Sequence, residues 1–361
     1  MPTLFDPITL GDYQLKNRIF MAPLTRGRTG AEGVPTRMVA EYYAERAEAG
    51  LLITEATAIT AKGRGWRNAP GIYSQDQIAG WRDVADAVHA RGGRIFMQIW
   101  HMGRTVLPGY ANGERPVAPS EVKAEGGMLE QDGTRGSFVT PRAITIAEIK
   151  STVADFALAA KRAVEAGFDG VEVHAANNFL VDSFLRDGTN LRTDEYGGRV
   201  ENRARFLIEV VKAITGAIGA GKVGVRLSPT NDYFGISDSQ PDVTFPKVAA
   251  MLNRFNLAYL HILEPETEDG TALVAPMIRA AYTGTLIRNG GYDQLSGDQA
   301  LKAGQAEAVA FGVPFIANPD LVDRYRHSLP LAQSDPETYY TPGRRGYADY
   351  PAYQHLTRSA A

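Results

Sequence analysis

Short apolar runs alternate with longer amphipathic stretches along this chain, and the alternation repeats eight times. The runs are 18–23 (RIFMAP), 51–58 (LLITEATA), 94–100 (RIFMQIW), 169–175 (DGVEVHA), 222–228 (KVGVRLS), 257–263 (LAYLHIL), 284–289 (GTLIRN) and 307–311 (EAVAF). Strands this apolar are buried on both faces, as in a parallel sheet covered by helices. Between and after them lie segments of helix length at 36–49, 77–91, 147–166, 199–218, 244–255, 272–281, 296–304 and 319–327. Gly50, Gly92-Gly93 and Gly167 close three of these helices, as helix C-caps require. Eight βα units in series predict an α/β fold, a (β/α)8 TIM barrel, which typically needs about 250 residues.

The chain has 361 residues, and the surplus has places to go. Residues 102–143 carry Gly, Pro and polar clusters without a period, and predict a long excursion after the third strand that shapes the active site. Residues 1–17 precede the first strand, and 330–361 form a tail rich in Pro, Gly and Tyr. The whole, 1–361, reads as one domain. The competing open, doubly wound sheet lacks its strand–GxGxxG–helix fingerprint here. A net charge of −3 removes the case for a nucleic-acid surface or a polybasic membrane patch. Cysteine is absent, which excludes disulfides, thiolate nucleophiles and Cys-bound metals. No basic-then-apolar leader opens the sequence, and no apolar run approaches the roughly 18 residues of a membrane span. The expectation is a soluble cytoplasmic enzyme for a small molecule, monomer or homodimer, with no metal.

Chemistry in such a barrel sits at the C-terminal ends of the strands. The fourth strand ends in VEVHAANNF, so His174 and Asn177 can hold two hydrogen-bond donors over one point, which suits polarising a carbonyl or nitro oxygen. Gln98 and Arg226 lie on the third and fifth strands, and buried groups of this kind each need several partners. A planar heterocycle rich in carbonyls and ring nitrogens supplies them. Asn289-Gly290-Gly291 after strand seven and Phe311-Gly312 after strand eight fit the barrel's usual phosphate site. A heterocyclic phosphate ester over the barrel mouth describes FMN.

The motifs NRIFMAPLTRGR, LLITEATAI, APGIYS, QIWHMGR, AGFDGVEVHAAN, TDEYGGRVENRARF, VGVRLSP, FIANPDL and GYADYP run from residue 17 to 351. Through them the chain resembles the old yellow enzyme family of FMN-dependent ene-reductases, especially its bacterial branch that reduces N-ethylmaleimide, nitrate esters and activated alkenes. The resemblance implies that Pro23, Leu24 and Thr25 reach the flavin, with Ala56 beside the same edge. It puts Gln98 on the pyrimidine carbonyls, Arg226 near N1 and O2, and the 289–291 and 311–312 loops at the phosphate. His174 and Asn177 match the pair that grips the substrate oxygen while hydride leaves the flavin, itself reduced by NAD(P)H. Trp66, Trp100, Arg142, Phe179 and Tyr347 fall where the family shapes the substrate pocket. His89 and His101 are read as structural.

The chain departs from the family pattern at three positions. Phe179 stands where the family usually has the Tyr that protonates the α-carbon, and a phenyl ring has no proton to give. Asn178 stands where Gly is usual, and is expected to reshape the cavity. Val313 stands where Arg or Lys usually meets the phosphate, so that contact is missing unless a neighbour such as Arg288 replaces it. Two other readings follow from these departures: a redox-neutral isomerase of enals, or a flavin-binding barrel with little turnover.

Overall fold

The computed structural model describes residues 1–265 and 273–353. The first residue of the helix expected at 272–281 and the end of the 330–361 tail lie outside them. All eight expected strands form: β1 (Ile19–Met21), β2 (Leu51–Ile53), β3 (Ile95–Trp100), β4 (Gly170–His174), β5 (Val223–Leu227), β6 (Tyr259–Leu263), β7 (Leu286–Asn289) and β8 (Ala308–Phe311). Each pairs in parallel with the next, and β8 pairs with β1, so the sheet closes into a (β/α)8 barrel. Side chains alternate in direction along each strand. Phe20, Ile53, Phe96, Tyr259, Ile287 and Ala310 fill the interior, while Ile19, Met21, Leu52, Ile95 and Met97 pack with the helices outside.

The main helices are Arg37–Ala44, Gln75–His89, Ile146–Glu165, Arg205–Ile218, Pro241–Leu252, Ala275–Ala281, Gln294–Lys302 and Leu321–Arg326, in the expected order. Ser74/Gln77, Thr145/Glu148 and Asp293/Ser296 form capping boxes that fix three of their starts. Gly92 (φ 70°) and Gly167 (φ 92°) are left-handed helix ends, as expected. Gly50 is not; a Cβ there would stand 2.1 Å from the Asn17 carbonyl, so it is glycine for close approach to β1.

The bottom of the barrel is plugged by a hairpin, Ile8–Leu10 with Tyr13–Leu15, whose Ile8, Leu10 and Leu15 join the interior cluster. Strands of three residues are too short to show a period, and the sequence pattern passes over them. The excursion after β3 contains a parallel pair, Val117–Ala118 with Arg142–Ala143, and a hairpin, Gly127–Leu129 with Arg135–Ser137. Its Met102, Val106, Leu107, Met128 and Phe138 pack with Trp100 and Phe179 at the mouth. Two further short helices, Leu180–Leu185 and Val313–Ala317, follow β4 and β8. No helix among the described residues is long and apolar enough to cross a membrane.

Candidate active site

The segment expected as one strand at 51–58 breaks after Ile53 and resumes only at Thr57–Ala58, beside Ile99 and Trp100. The break serves the site. Glu55, fully buried in the gap, accepts hydrogen bonds from the backbone N–H groups of Arg26 (3.1 Å) and Gly27 (2.9 Å). That pins the Pro23–Arg26 loop over the mouth. Arg26 and Arg28 in turn donate to carbonyls of the tail, at Tyr339 (3.1 and 2.8 Å), Thr338 (2.7 Å) and Gly346 (2.6 Å). The tail is therefore clasped against the mouth, which brings Tyr339 and Tyr340 to the cavity.

The floor is a buried polar layer. Glu172 of β4 accepts from Gln98 Nε2 at 2.7 Å and meets His261 Nδ1 at 2.8 Å. Burial works against the Glu172 carboxylate, but His261, Arg226 and Gln98 hold its pKa below the ordinary value. Burial also pushes His261 down, so a carboxylate beside the Arg226 guanidinium balances the layer. Arg226 Nη2 donates to Asn289 Oδ1 at 2.7 Å, and Asn289 Nδ2 donates to the Ala310 carbonyl at 2.7 Å. Asn289 thus ties β5, β7 and β8 together and fixes the guanidinium.

His174 closes β4 in register with Arg226. Its ring stacks on Trp100 at 6.0 Å and 10° and meets the edge of Phe179 at 4.8 Å and 81°. Burial pushes the imidazole well below the ordinary histidine pKa, and Arg226 and His261 push the same way. That favours the neutral ring, which carries one N–H. Asn177 sits at φ 57°, a conformation Asn tolerates well, with its N–H held by Ser228 Oγ at 2.9 Å.

A cavity of about 270 Å³ joins these parts, lined by Pro23, Leu24, Thr25, Trp66, Gln98, His174, Asn177, Phe179 and Arg226. Not every expected residue is there. Ala56 is buried with Ala58 and Trp100, and Phe311 packs on Tyr325 at 5.4 Å. Gly312 caps the Val313–Ala317 helix rather than lining the cavity, although Val313 and Ile316 do line it. Gly290 and Gly291 border a separate hollow of about 210 Å³ with Glu264, Pro265, Tyr292 and Ser296. A Cβ on Gly290 would stand 2.6 Å from the Pro265 nitrogen, so only glycine fits.

Three pocket expectations are corrected. Trp100 lies under His174 and supports it. Arg142 pairs with Glu148 at 2.6 and 2.9 Å and lines a different cavity, with Thr60, His101 and Glu114. Tyr347 is fully buried, stacked on Tyr42 at 4.0 Å beneath Arg26 and Arg28, so it belongs to the clasp. Asn178 is corrected as well. It is fully buried outside the cavity lining, at φ 67°, and it binds the loop after β5. Its Nδ2 donates to the carbonyls of Tyr233 (2.9 Å) and Phe234 (3.2 Å), and its Oδ1 accepts from Arg104 (2.7 Å). Glycine would allow the turn but not the tie. His101 (backbone N–H of Gly103 to Nδ1, 3.0 Å) and His89 (Nε2 to Asp169, 2.9 Å) have local structural partners.

Sequence reasoning missed Arg26, Tyr233, Ile316, Tyr339 and Tyr340 as lining residues. The adjacent Tyr339-Tyr340 before Pro342-Gly343 was the available signal, but nothing local says that Arg26 and Arg28 anchor it.

The donor set fits a flavin ring. Arg226 Nε is buried and unpartnered among the described residues. Gln98 commits its Nε2 to Glu172, which leaves its amide oxygen for a ligand N–H. A heterocycle with carbonyls flanking a ring N–H answers both.

The model of the NADH:flavin oxidoreductase / NADH oxidase family matches residues 3–332. The chain is 41% identical over 371 residues to 12-oxophytodienoate reductase 7 of Oryza sativa subsp. japonica, covering 96% of this chain and 94% of that one. Among solved structures it is similar to the old yellow enzyme homologue from Zymomonas mobilis, with TM-score 0.95, 44% identity, and coverage of 98% and 100%. It is also similar to morphinone reductase, with TM-score 0.94, 46% identity, and coverage of 98% and 97%.

Proposed function

The chain belongs to the NADH:flavin oxidoreductase / NADH oxidase family, which includes the old yellow enzymes, and from that premise we propose how its residues reduce an activated alkene. It is an FMN-dependent NAD(P)H oxidoreductase, an ene-reductase. Bound FMN supplies the hydride that it has taken from NAD(P)H. Pro23, Leu24, Thr25, Gln98 and Arg226 would hold the ring, and the Arg226 cation suits the negative charge of a reduced flavin. Asn289 keeps that cation in place. Gly290, Gly291 and Gly312 would supply backbone N–H groups to the phosphate.

His174 and Asn177 hold the substrate's electron-withdrawing oxygen. The observation that carries this reading is that His174 shares one cavity with Asn177, Gln98 and Arg226, with burial pushing its imidazole toward the neutral form. Two neutral donors on that oxygen drain electron density from the C=C bond by hydrogen bonding.

Phe179 cannot give the α-carbon its proton, so the proton comes from water or from another phenol of the cavity, Tyr233, Tyr339 or Tyr340. Substrates whose anions are stabilised, such as maleimides and nitroalkenes, lose least by this; enones and enals lose more. The walls Trp66, Tyr233 and Tyr340 are shared with an adjoining cavity of about 280 Å³ that includes Met128, Leu129 and Phe234, which leaves room for an apolar extension of the alkene. The relatives named above are reductases, and neither the isomerase reading nor the barrel with little turnover is favoured. The same reading keeps the chain as a single domain working in the cytoplasm. The test is anaerobic: NADPH should bleach the visible flavin band, N-ethylmaleimide should restore it, and product formed in D2O should carry deuterium at the α-carbon. Bound flavin that NAD(P)H leaves oxidised rejects the cycle.

A further inference from the structure

Asn177 can serve as a donor only if its amide presents nitrogen, not oxygen, to the cavity. A side-chain amide has both ends available, and they differ only in what they bond. The loop after β5 decides which end is free. The backbone N–H of Tyr233 donates to Asn231 Oδ1 at 2.7 Å. A backbone N–H can only donate, so the Asn231 terminus facing it has to be oxygen. The other terminus, Nδ2, therefore faces Asn177, and it lies 2.7 Å from Asn177 Oδ1. Asn177 Nδ2 has no partner among the described residues, and Asn177 lines the cavity with His174.

We propose that Asn231 is a positioning residue for substrate activation: through the fixed Tyr233 N–H it sets the Asn177 amide with its N–H groups toward the substrate oxygen. The inference rests on the reading of Asn177 as a substrate donor. Turned the other way, Asn177 would place its own oxygen against that of the substrate, an acceptor against an acceptor. The loop that carries Asn231 is held in turn by Asn178, which binds the carbonyls of Tyr233 and Phe234. The polar residue at 178 thus acts on the site through this relay rather than by filling it.

Two substitutions separate this role from a merely structural one. Asn231→Asp keeps shape and the bond from the Tyr233 N–H, so a structural role predicts it to be the milder change. As a carboxylate, however, it can only accept, and it draws the Asn177 amide round so that oxygen faces the cavity. Asn231→Ala removes the tether and lets the amide turn freely. The probe is cyclohexanone, an unreactive ligand whose oxygen only accepts, with its dissociation constant read from the perturbation of the visible absorbance. At pH 8 we expect Asn231→Ala to weaken binding about 3- to 10-fold and Asn231→Asp about 10- to 100-fold, the loss of one or more hydrogen bonds. The kcat/KM for 2-cyclohexenone should follow the same order. On acidification below about pH 4, the ordinary range of an Asp carboxyl, the new group protonates, regains a donor, and Asn231→Asp alone should recover.

Asn231→Asp binding as well as or better than Asn231→Ala at pH 8, or failing to recover in acid, overturns the proposal. If Asn231→Asp does not fold, unchanged cyclohexanone affinity in Asn231→Ala overturns it equally. If Asn177→Ala itself leaves cyclohexanone binding intact, the underlying reading of Asn177 fails instead, and the two failures are distinguishable.

Discussion

Restoring the hydroxyl at Phe179 tests how far protonation of the α-carbon limits turnover at this site. The Phe179 ring is held edge-on by Trp100 (4.6 Å, 79°) and His174 (4.8 Å, 81°), so Phe179→Tyr should keep its orientation. Phe179 lines the cavity, so the new O–H meets ligand or water there and avoids the penalty of about 1–3 kcal/mol for an unpaired buried hydroxyl. A positioned general acid contributes roughly 10²–10⁴ in rate. Tyr, with a pKa near 10, is a weak acid at pH 7, and the water route remains open, so the low end, about 10²-fold, applies to 2-cyclohexenone. N-ethylmaleimide, whose anion is stabilised, should gain less than about threefold, since protonation limits it little. The assay is anaerobic stopped-flow reoxidation of pre-reduced enzyme by each alkene, in H2O and D2O. A solvent isotope effect should appear with the enone in the variant. Equal gains for both alkenes, or none for the enone, would refute the reasoning.

Three further outcomes follow from the structure. Val313→Arg returns a cation to the phosphate end of the mouth; Val313 is half exposed, so solvent reduces a contact of about 1.5–3 kcal/mol and FMN should bind about 3- to 30-fold more tightly, by fluorescence titration. Asn178→Gly keeps the left-handed turn but loses the bonds to Tyr233, Phe234 and Arg104, and should lower stability by about 1–3 kcal/mol in urea; an unchanged midpoint contradicts the tie. His174 is held neutral with its folded pKa below the unfolded value of about 6.5, so the alkene half-reaction should show no titration near that pH. By the same sign, burying the ring lowers stability only as pH falls below that value, where the unfolded chain takes up the proton and the folded one does not.

The barrel was legible because eight apolar runs alternate with segments of helix length, and eight βα units in series close into a barrel. That His174, Asn177, Gln98 and Arg226 meet in one cavity was legible because all four lie at or near the C-terminal ends of barrel strands. Other parts were hidden in the third dimension. The break in the second strand depends on Glu55 reaching the N–H groups of Arg26 and Gly27, which no local pattern announces. Resemblance put Arg142 and Tyr347 near the pocket in sequence, but an ion pair with Glu148 and a stack on Tyr42 decide where they point. Tyr340 takes a place at the cavity because two buried arginines hold the tail.

The most direct test of the central claim is the grip of His174 and Asn177 on the substrate oxygen. In His174→Ala/Asn177→Ala, FMN should stay bound through Arg226 and Gln98, and reoxidation of the reduced enzyme by O2 should be unchanged. Reoxidation by 2-cyclohexenone should fall by at least about 10²-fold, the cost of removing even one donor to a developing oxyanion. An enone rate equal to that of the unaltered enzyme, with FMN bound and O2 reactivity intact, would contradict the account.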